Sequence, residues 1–159
     1  MRPLLLALVL VVIARVQAQD AGPILTIRFG TCDTTLNARV LSTLPVHSAH
    51  VENRDGEKHT YSGPYVIDVL QAGCPGLSRA DKRDRVGFVV RATSADGYRA
   101  AVALMEADTT FSPAPAILAL TMDGRPLDAR EGPVKLIVPG DMRHARHVRG
   151  VSVLEVVAP

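Results

Sequence analysis

A basic segment near the C-terminus holds the densest set of side chains that can do chemistry. It reads RHARHVR and consists of Arg143, His144, Arg146, His147 and Arg149 with two spacer residues. On a helical turn the three arginines, which are three residues apart, lie on one face. Converging guanidinium groups bind phosphate, sulfate or carboxylate through paired hydrogen bonds. The segment therefore predicts an anion site.

Two other interpretations of the same segment stay open. Its two histidines, three residues apart, can reach one metal ion, but a site needs a third or fourth ligand, for which Asp141 and His50 are candidates. Alternatively the segment is a solvated turn. Its arginines then pair with nearby acids, Glu131, Asp141 or Asp128. This last interpretation carries no function.

Other catalytic patterns are weaker. The chain has no G-x-S-x-G nucleophile motif and no glycine-rich phosphate loop. Glu106 and Asp108 follow an apolar run, where charges are usually solvated. Tyr61 and Tyr98 are better candidates, because a tyrosine beside a turn can present its hydroxyl to a pocket.

The two cysteines, Cys32 and Cys74, are too far apart for a C-x-x-C redox motif. In an exported chain an even number of cysteines favours a disulfide. Closing a loop of this length stabilises a fold by about 4 kcal/mol in the chain-entropy model. The alternative is two separate thiols, one of them reactive.

The N-terminus has the pattern of a secretory signal peptide. Arg2 precedes an apolar run from Leu4 to Ile13, and the small-residue site Val16-Gln17-Ala18 follows. The run is too short to span a bilayer as a helix, which takes about 20 residues. We therefore expect residues 1–18 to be removed and residues 19–159 to form one periplasmic or secreted domain, with no membrane span in the mature chain.

Removing this leader changes the charge of the chain. The full sequence has 18 basic and 16 acidic residues, and residues 1–18 contain two arginines and no acid. The mature chain is then formally neutral. No general field attracts it to nucleic acid or to an anionic membrane, so nucleic acid is not expected as a partner. Any positive patch must be local.

Several elements must position these residues. Residues 24–29 alternate as a half-buried strand does, and Asp33, Thr34 or Thr35 caps a predicted helix that ends before Pro45. Asp55-Gly56, Asp96-Gly97 and Asp123-Gly124 predict three hairpin turns. Pro64 to Gly73 predicts a helix, and residues 134–139 and 151–157 predict late strands. Seven or eight strands with two or three helices make an α+β domain.

The order of these motifs resembles a known family. Tyr61-Ser62-Gly63 opens the helix, Asp96-Gly97-Tyr98 begins a strand that ends at Glu106, and Asp123 to Leu127 reads DGRPL. Residues 132–139 read GPVKLIVP, and Val148-Arg149 precedes the last strand. This pattern is similar to the oxidoreductase molybdopterin-binding domain, the sulfite-oxidase-type fold. The resemblance implies mixed or antiparallel sheets with a few short helices.

The resemblance also implies a cofactor site. Such enzymes hold molybdenum through the pterin sulfurs and a cysteine thiolate, a soft ligand for this metal. Here His50 of SAHVEN stands at the thiolate position, so it is the candidate substitute ligand. The candidate contacts to the pterin and its phosphate are Lys135, Arg146, Arg149 and Tyr98, with Arg91 and Arg99 as possible contributors.

Two functions follow from these observations. One is an exported molybdopterin-dependent oxidoreductase-like domain with a degenerate cofactor site. The other is a non-enzymatic periplasmic module that binds a small anion or a protein partner in the same groove. They share a structural requirement: His50, Lys135, Arg146 and Arg149 should line one pocket.

Overall fold

A computed structural model describes Gly22 and residues 24–158 of the chain. Within them, eleven strands and three α-helices form an α+β architecture. The predicted signal peptide lies outside the described residues. In the part of the chain that is described, no helix has the length and apolar character to cross a membrane.

The largest layer is a five-stranded sheet in the order β2-β1-β11-β5-β6. Its central pair, β1 and β11, is parallel and joins the two ends of the described chain, while the other pairs are antiparallel. The strands are β1 Leu25–Phe29, β2 Cys32–Leu36, β5 Val89–Ser94, β6 Arg99–Ala103 and β11 Val151–Val157.

A second layer consists of a four-stranded antiparallel sheet, β3-β4-β8-β9, and a two-stranded sheet, β10-β7. The strands are β3 His47–Glu52, β4 Lys58–Gly63, β7 Ile117–Ala119, β8 Thr121–Met122, β9 Arg125–Pro126 and β10 Lys135–Ile137. The helices are α1 Ala38–Ser42, α2 Val66–Gly73 and α3 Lys82–Gly87. Short 3₁₀ turns follow α2 and β6 and occur within the basic segment.

The core lies between α2 and the five-stranded sheet. Val66, Ile67, Val69 and Leu70, which repeat at helical spacing, are all buried, as the sequence predicts. Gly73 is the last residue of this helix, and glycine is favoured there because a Cβ atom would lie 2.7 Å from the Ile27 side chain. A smaller apolar cluster, which includes Tyr61 and Ile137, packs under the four-stranded sheet.

The three Asp-Gly hairpin turns form as predicted. Gly56, Gly97 and Gly124 all have positive φ, a conformation that glycine adopts without steric cost. The predicted helix start was wrong. Residues 32–36 form β2 instead, because Gly30 turns the chain back to pair with β1. Helix α1 begins later, where the Asn37 side chain accepts a hydrogen bond from the Val40 amide.

Candidate functional site

A cavity of about 320 Å³ lies where the two sheet layers meet. The β3–β4 hairpin, the β5–β6 turn, strand β10 and the basic segment each form one wall. Its polar lining comes from Asn53, His59, Tyr61, Ser94, Asp96, Tyr98, Lys135, His144, His147 and Arg149. Cavities of this size are within the range of small-molecule sites.

Lys135 is the buried cation of the cavity. Strand β10 places it in the interior, where only 6% of the residue is exposed. Its Nζ donates to the Tyr61 hydroxyl at 3.0 Å and forms an ion pair with Glu131. An ammonium group has three N–H donors, so these two partners leave one donor for a ligand.

Arg149 adds a second cation at the more open side of the cavity. Its Nε lies 3.1 Å from Oε1 of Glu131, so one carboxylate contacts both cations. A close approach of two glycines brings these residues together. A Cβ atom at Gly132 would lie 2.5 Å from the Cα of Gly150, so glycine is required at position 132.

The β5–β6 turn contributes Asp96 and Tyr98. The Asp96 carboxylate accepts hydrogen bonds from the Ser94 hydroxyl and from the Tyr98 amide, and these hold the pKa of Asp96 below its usual value. The Tyr98 hydroxyl donates to the carbonyl oxygen of Ala145 at 2.5 Å. Tyr98 therefore ties the turn to the basic segment as well as lining the cavity.

His144 and His147 form a stacked pair, with ring centroids 4.5 Å apart and an angle of 5° between the planes. Nε2 of His147 lies 3.2 Å from the carbonyl oxygen of Val138. Because a carbonyl only accepts, this nitrogen carries the ring proton. Burial lowers the pKa of His147 to about 4, so the ring is neutral near pH 7.

His59 lines the opposite wall, next to Tyr61. Its Nδ1 lies 2.8 Å from Oδ2 of Asp123, the residue with φ +51° in the β8–β9 turn. The other oxygen of Asp123 accepts from the Thr60 amide, and these contacts lower the pKa of Asp123. The DGRPL turn thus orients a histidine of the cavity.

The structure brings three of the five predicted binding residues together: Lys135, Arg149 and Tyr98 all line the cavity. The prediction that His50, Lys135, Arg146 and Arg149 line one pocket was wrong, because Arg146 and His50 are not among the lining residues. The Arg146 guanidinium contacts Asp141 through Nε at 2.9 Å and Nη2 at 2.5 Å, and Glu106 through Nη1 at 3.0 Å. Two of the three acids that were predicted to pair with these arginines do so: Asp141 pairs with Arg146, and Glu131 pairs with Arg149.

His50 lies on the other face of the β3–β4 hairpin. Along β3 its neighbours Ala49 and Val51 are buried, while His50 is exposed, as strand alternation requires. Its Nδ1 lies 3.1 Å from the Thr60 hydroxyl on that outer face. His50 does not line the cavity of Lys135 and Arg149. It lines an adjoining pocket of about 320 Å³, to which Asp141, His144 and His147 also contribute.

The two further arginines that the resemblance implied are also placed elsewhere. Arg91 pairs with Glu155 at 3.0 Å on the five-stranded sheet, and Arg99 is exposed on β6. No role in a binding site was predicted for His59, Asp96 or Ser94. The Asp-Gly signals located two of the turns involved, but nothing local indicated that these turns meet at one cavity.

The predicted disulfide is confirmed. Cys32 and Cys74 are bonded, with sulfur atoms 2.03 Å apart, and the bond joins β2 to the end of α2. Neither cysteine of the chain is therefore a thiol in this structure. Among the described residues, no three His, Cys, Asp or Glu side chains are grouped to hold a metal ion.

Comparison with known proteins places this geometry in a family. The family described as "Oxidoreductase molybdopterin binding domain" matches residues 26–158. No protein of curated function gives a significant sequence match.

A solved structure shows the same fold. It is that of the sulfane dehydrogenase SoxCD from Paracoccus pantotrophus, with a TM-score of 0.59 and 16% identity. The alignment covers 84% of this chain and 38% of the SoxCD chain. This protein therefore spans well under half the length of the SoxCD chain. The family match extends over nearly all the described residues, and the chain belongs to the oxidoreductase molybdopterin binding domain family.

Proposed function

We propose that this protein is an exported binding domain whose cavity takes a small anion without a molybdenum cofactor. The observation that carries the proposal is the convergence of Lys135 and Arg149 on a cavity that contains no thiolate. The residues present favour recognition of a ligand over redox chemistry.

The cofactor that the family implies does not fit these residues. A thiolate ligand is absent because both cysteines form a disulfide, and Cys32 and Cys74 lie outside the cavity lining. His50, the candidate substitute, is not among the residues that line the cavity and lines the adjoining pocket instead. We therefore derive no catalytic step through molybdenum.

The positive charge available for a pterin phosphate is also reduced. Arg146 is bound by two carboxylates, and Glu131 contacts both remaining cations. A phosphate group would have to compete with these internal carboxylates. The cavity is better suited to an anion with less charge, bound by a few directed hydrogen bonds.

Donors for such an anion are present. Lys135 has one N–H left, and Arg149 uses Nε for Glu131, which leaves its two terminal nitrogens. The Tyr61 hydroxyl accepts from Lys135, so its own proton can be donated to a ligand. Paired donors from Arg149 beside a buried ammonium suit a carboxylate.

Export rests on the N-terminal pattern and is supported by the disulfide. The disulfide between Cys32 and Cys74 is typical of chains in an oxidising compartment. The proposed location is therefore the periplasm or the exterior. The binding domain could also bind a protein partner, instead of a small anion, at the same cavity.

Calorimetric titration with acetate, benzoate, phosphate and sulfate tests the proposal. We expect at least one of these anions to bind, and Arg149→Ala to weaken that binding by about tenfold through loss of a charged hydrogen bond. Arg143→Ala is the matched control, because this exposed arginine of the same segment does not line the cavity. Equal affinity in Arg149→Ala and wild type would exclude this cavity as the site.

The family match favours a second candidate, an oxidoreductase domain that carries a pterin cofactor. This candidate requires a way to hold the cofactor without the cysteine ligand. Metal and pterin analysis distinguishes it from the anion-binding domain.

A further inference from the structure

We infer that Glu131 determines the charge of the ligand, so that the cavity selects an aromatic monocarboxylate over an aromatic phosphate. The inference rests on the proposed anion-binding function and names the ligand class of the same site. Glu131 is then a specificity-determining residue, although it is not one of the lining residues.

Glu131 is held firmly in place. Only 9% of the residue is exposed, and its amide donates to the Asp128 side chain at 2.8 Å. Its carbonyl accepts from the Gly150 amide, also at 2.8 Å. These contacts hold the backbone of Glu131, and its carboxylate lies between Lys135 and Arg149 in contact with both.

The charges around the cavity balance. Lys135 and Arg149 are positive, while Glu131 and Asp96 are negative. Two further acids, Asp123 and Glu57, contact His59, at 2.8 Å and 3.8 Å. A doubly charged group would thus enter a site with no net positive charge, next to two carboxylates. A singly charged carboxylate meets less repulsion and still uses the donors of Arg149.

The remaining lining favours a ring on the ligand. Tyr61 and the stacked pair of His144 and His147 place aromatic surfaces around the cavity, and Tyr98 adds a half-exposed ring at its edge. Aromatic side chains pack well against a planar ligand. A benzoate-like molecule combines such a ring with one carboxylate.

Benzoate and phenyl phosphate form a matched pair of probes, with the same ring and different charge. At about pH 8 the phosphate is doubly ionised, because its second pKa is about 6. Calorimetry on the wild-type protein should give binding of benzoate at least about tenfold tighter than that of phenyl phosphate. Glu131→Gln should reverse this order, because the mutation frees both cations.

Asp96→Asn provides a second variant, since Glu131→Gln leaves a buried lysine with one partner fewer. Asp96 lies in an exposed turn, and its replacement should raise affinity for phenyl phosphate while leaving affinity for benzoate within about threefold. Arg143→Ala should match wild type for both probes.

The outcomes separate the two proposals. Phenyl phosphate that binds the wild type as tightly as benzoate overturns the role of Glu131 while leaving an anion site. A folded Glu131→Gln protein that still binds benzoate more tightly than phenyl phosphate also overturns the role of Glu131 while leaving an anion site. Binding of neither probe by any variant overturns the inference, and the anion site itself is overturned only if acetate, phosphate and sulfate also fail to bind.

Discussion

The Nζ atom of Lys135 lies 3.0 Å from the hydroxyl oxygen of Tyr61, in the interior of the protein. The two residues come from β10 and β4, which belong to different sheets, and both are more than nine-tenths buried. Glu131 completes the arrangement as the counterion of the lysine. The wall of the cavity is therefore a buried polar network, and its members should be strongly coupled.

Removing Lys135 alone should lower the free energy of unfolding more than removing Lys135 and Glu131 together. Lys135→Ala leaves Glu131 buried with Arg149 alone, and we expect a loss of about 3 kcal/mol in the free energy of unfolding. The double variant Lys135→Met with Glu131→Leu should lie within about 1 kcal/mol of wild type, because no buried charge is left unpaired. Urea denaturation measures both. A double variant less stable than Lys135→Ala would contradict this interpretation.

Arg146 should act as a structural clamp. Its guanidinium joins Asp141, a side chain that is 14% exposed, to Glu106, whose other role is to accept from the Ala103 amide. Since the arginine itself is partly exposed, Arg146→Ala should lower stability by only about 1–2 kcal/mol. Arg146→Lys should recover less than half of that loss, since lysine lacks the planar fork. Equal stability of Arg146→Ala and the control Arg143→Ala in thermal melts would argue against the clamp.

Stability should fall in acid through His147. Burial lowers its pKa from 6.5 to about 4, with His144 and Lys135 acting in the same direction and Asp141 and the Val138 carbonyl opposing. Below pH 6.5 the unfolded chain binds a proton that the folded protein does not, so the free energy of unfolding decreases as the pH falls towards about 4.

The expected loss from His147 is about 2 kcal/mol over that range, after allowance for the exposed part of the ring. Urea denaturation of wild type and His147→Gln between these pH values isolates the contribution. The variant should lose less stability than wild type on acidification. Parallel curves for the two proteins would show that His147 does not titrate in this way.

Gly132→Ala should be among the most damaging small substitutions. Its φ is +78°, and a Cβ atom would lie 2.5 Å from the Cα of Gly150. We expect a loss of more than about 2 kcal/mol, together with weaker benzoate binding, because Glu131 and Arg149 would move apart. Gly76→Ala is the control: a Cβ atom at Gly76 meets no atom within 4 Å, and stability should change by less than about 0.5 kcal/mol. Similar melting temperatures for the two variants would be inconsistent with this role.

Local signals explain which parts of the fold were predictable. Each Asp-Gly turn depends on the conformational freedom of one glycine, and the buried face of α2 depends on spacing within one helix. The misassigned segment at residues 32–36 shows the limit of such signals. Its threonines are compatible with a helix cap or a strand, and pairing with β1 decides between them.

The site was less predictable because its charges are balanced by distant residues. Lys135, Arg149 and Tyr98 reach one cavity as expected, but their neighbours Asp96 and His59 come from separate hairpins. Glu131 was foreseen as a possible arginine partner. Its contact with Lys135 as well depends on the close approach of Gly132 and Gly150, which only the folded chain reveals.

The most direct test of the central claim is the cofactor content of the purified protein. The full chain, residues 1–159, is expressed in a host that makes molybdopterin and is purified from both the periplasmic and the cytoplasmic fraction. Molybdenum is then measured by mass spectrometry, and pterin by fluorescence after oxidative release. The anion-binding proposal predicts no more molybdenum or pterin than in a mock purification. One molybdenum atom and one pterin per chain would contradict it and establish the cofactor-bound alternative.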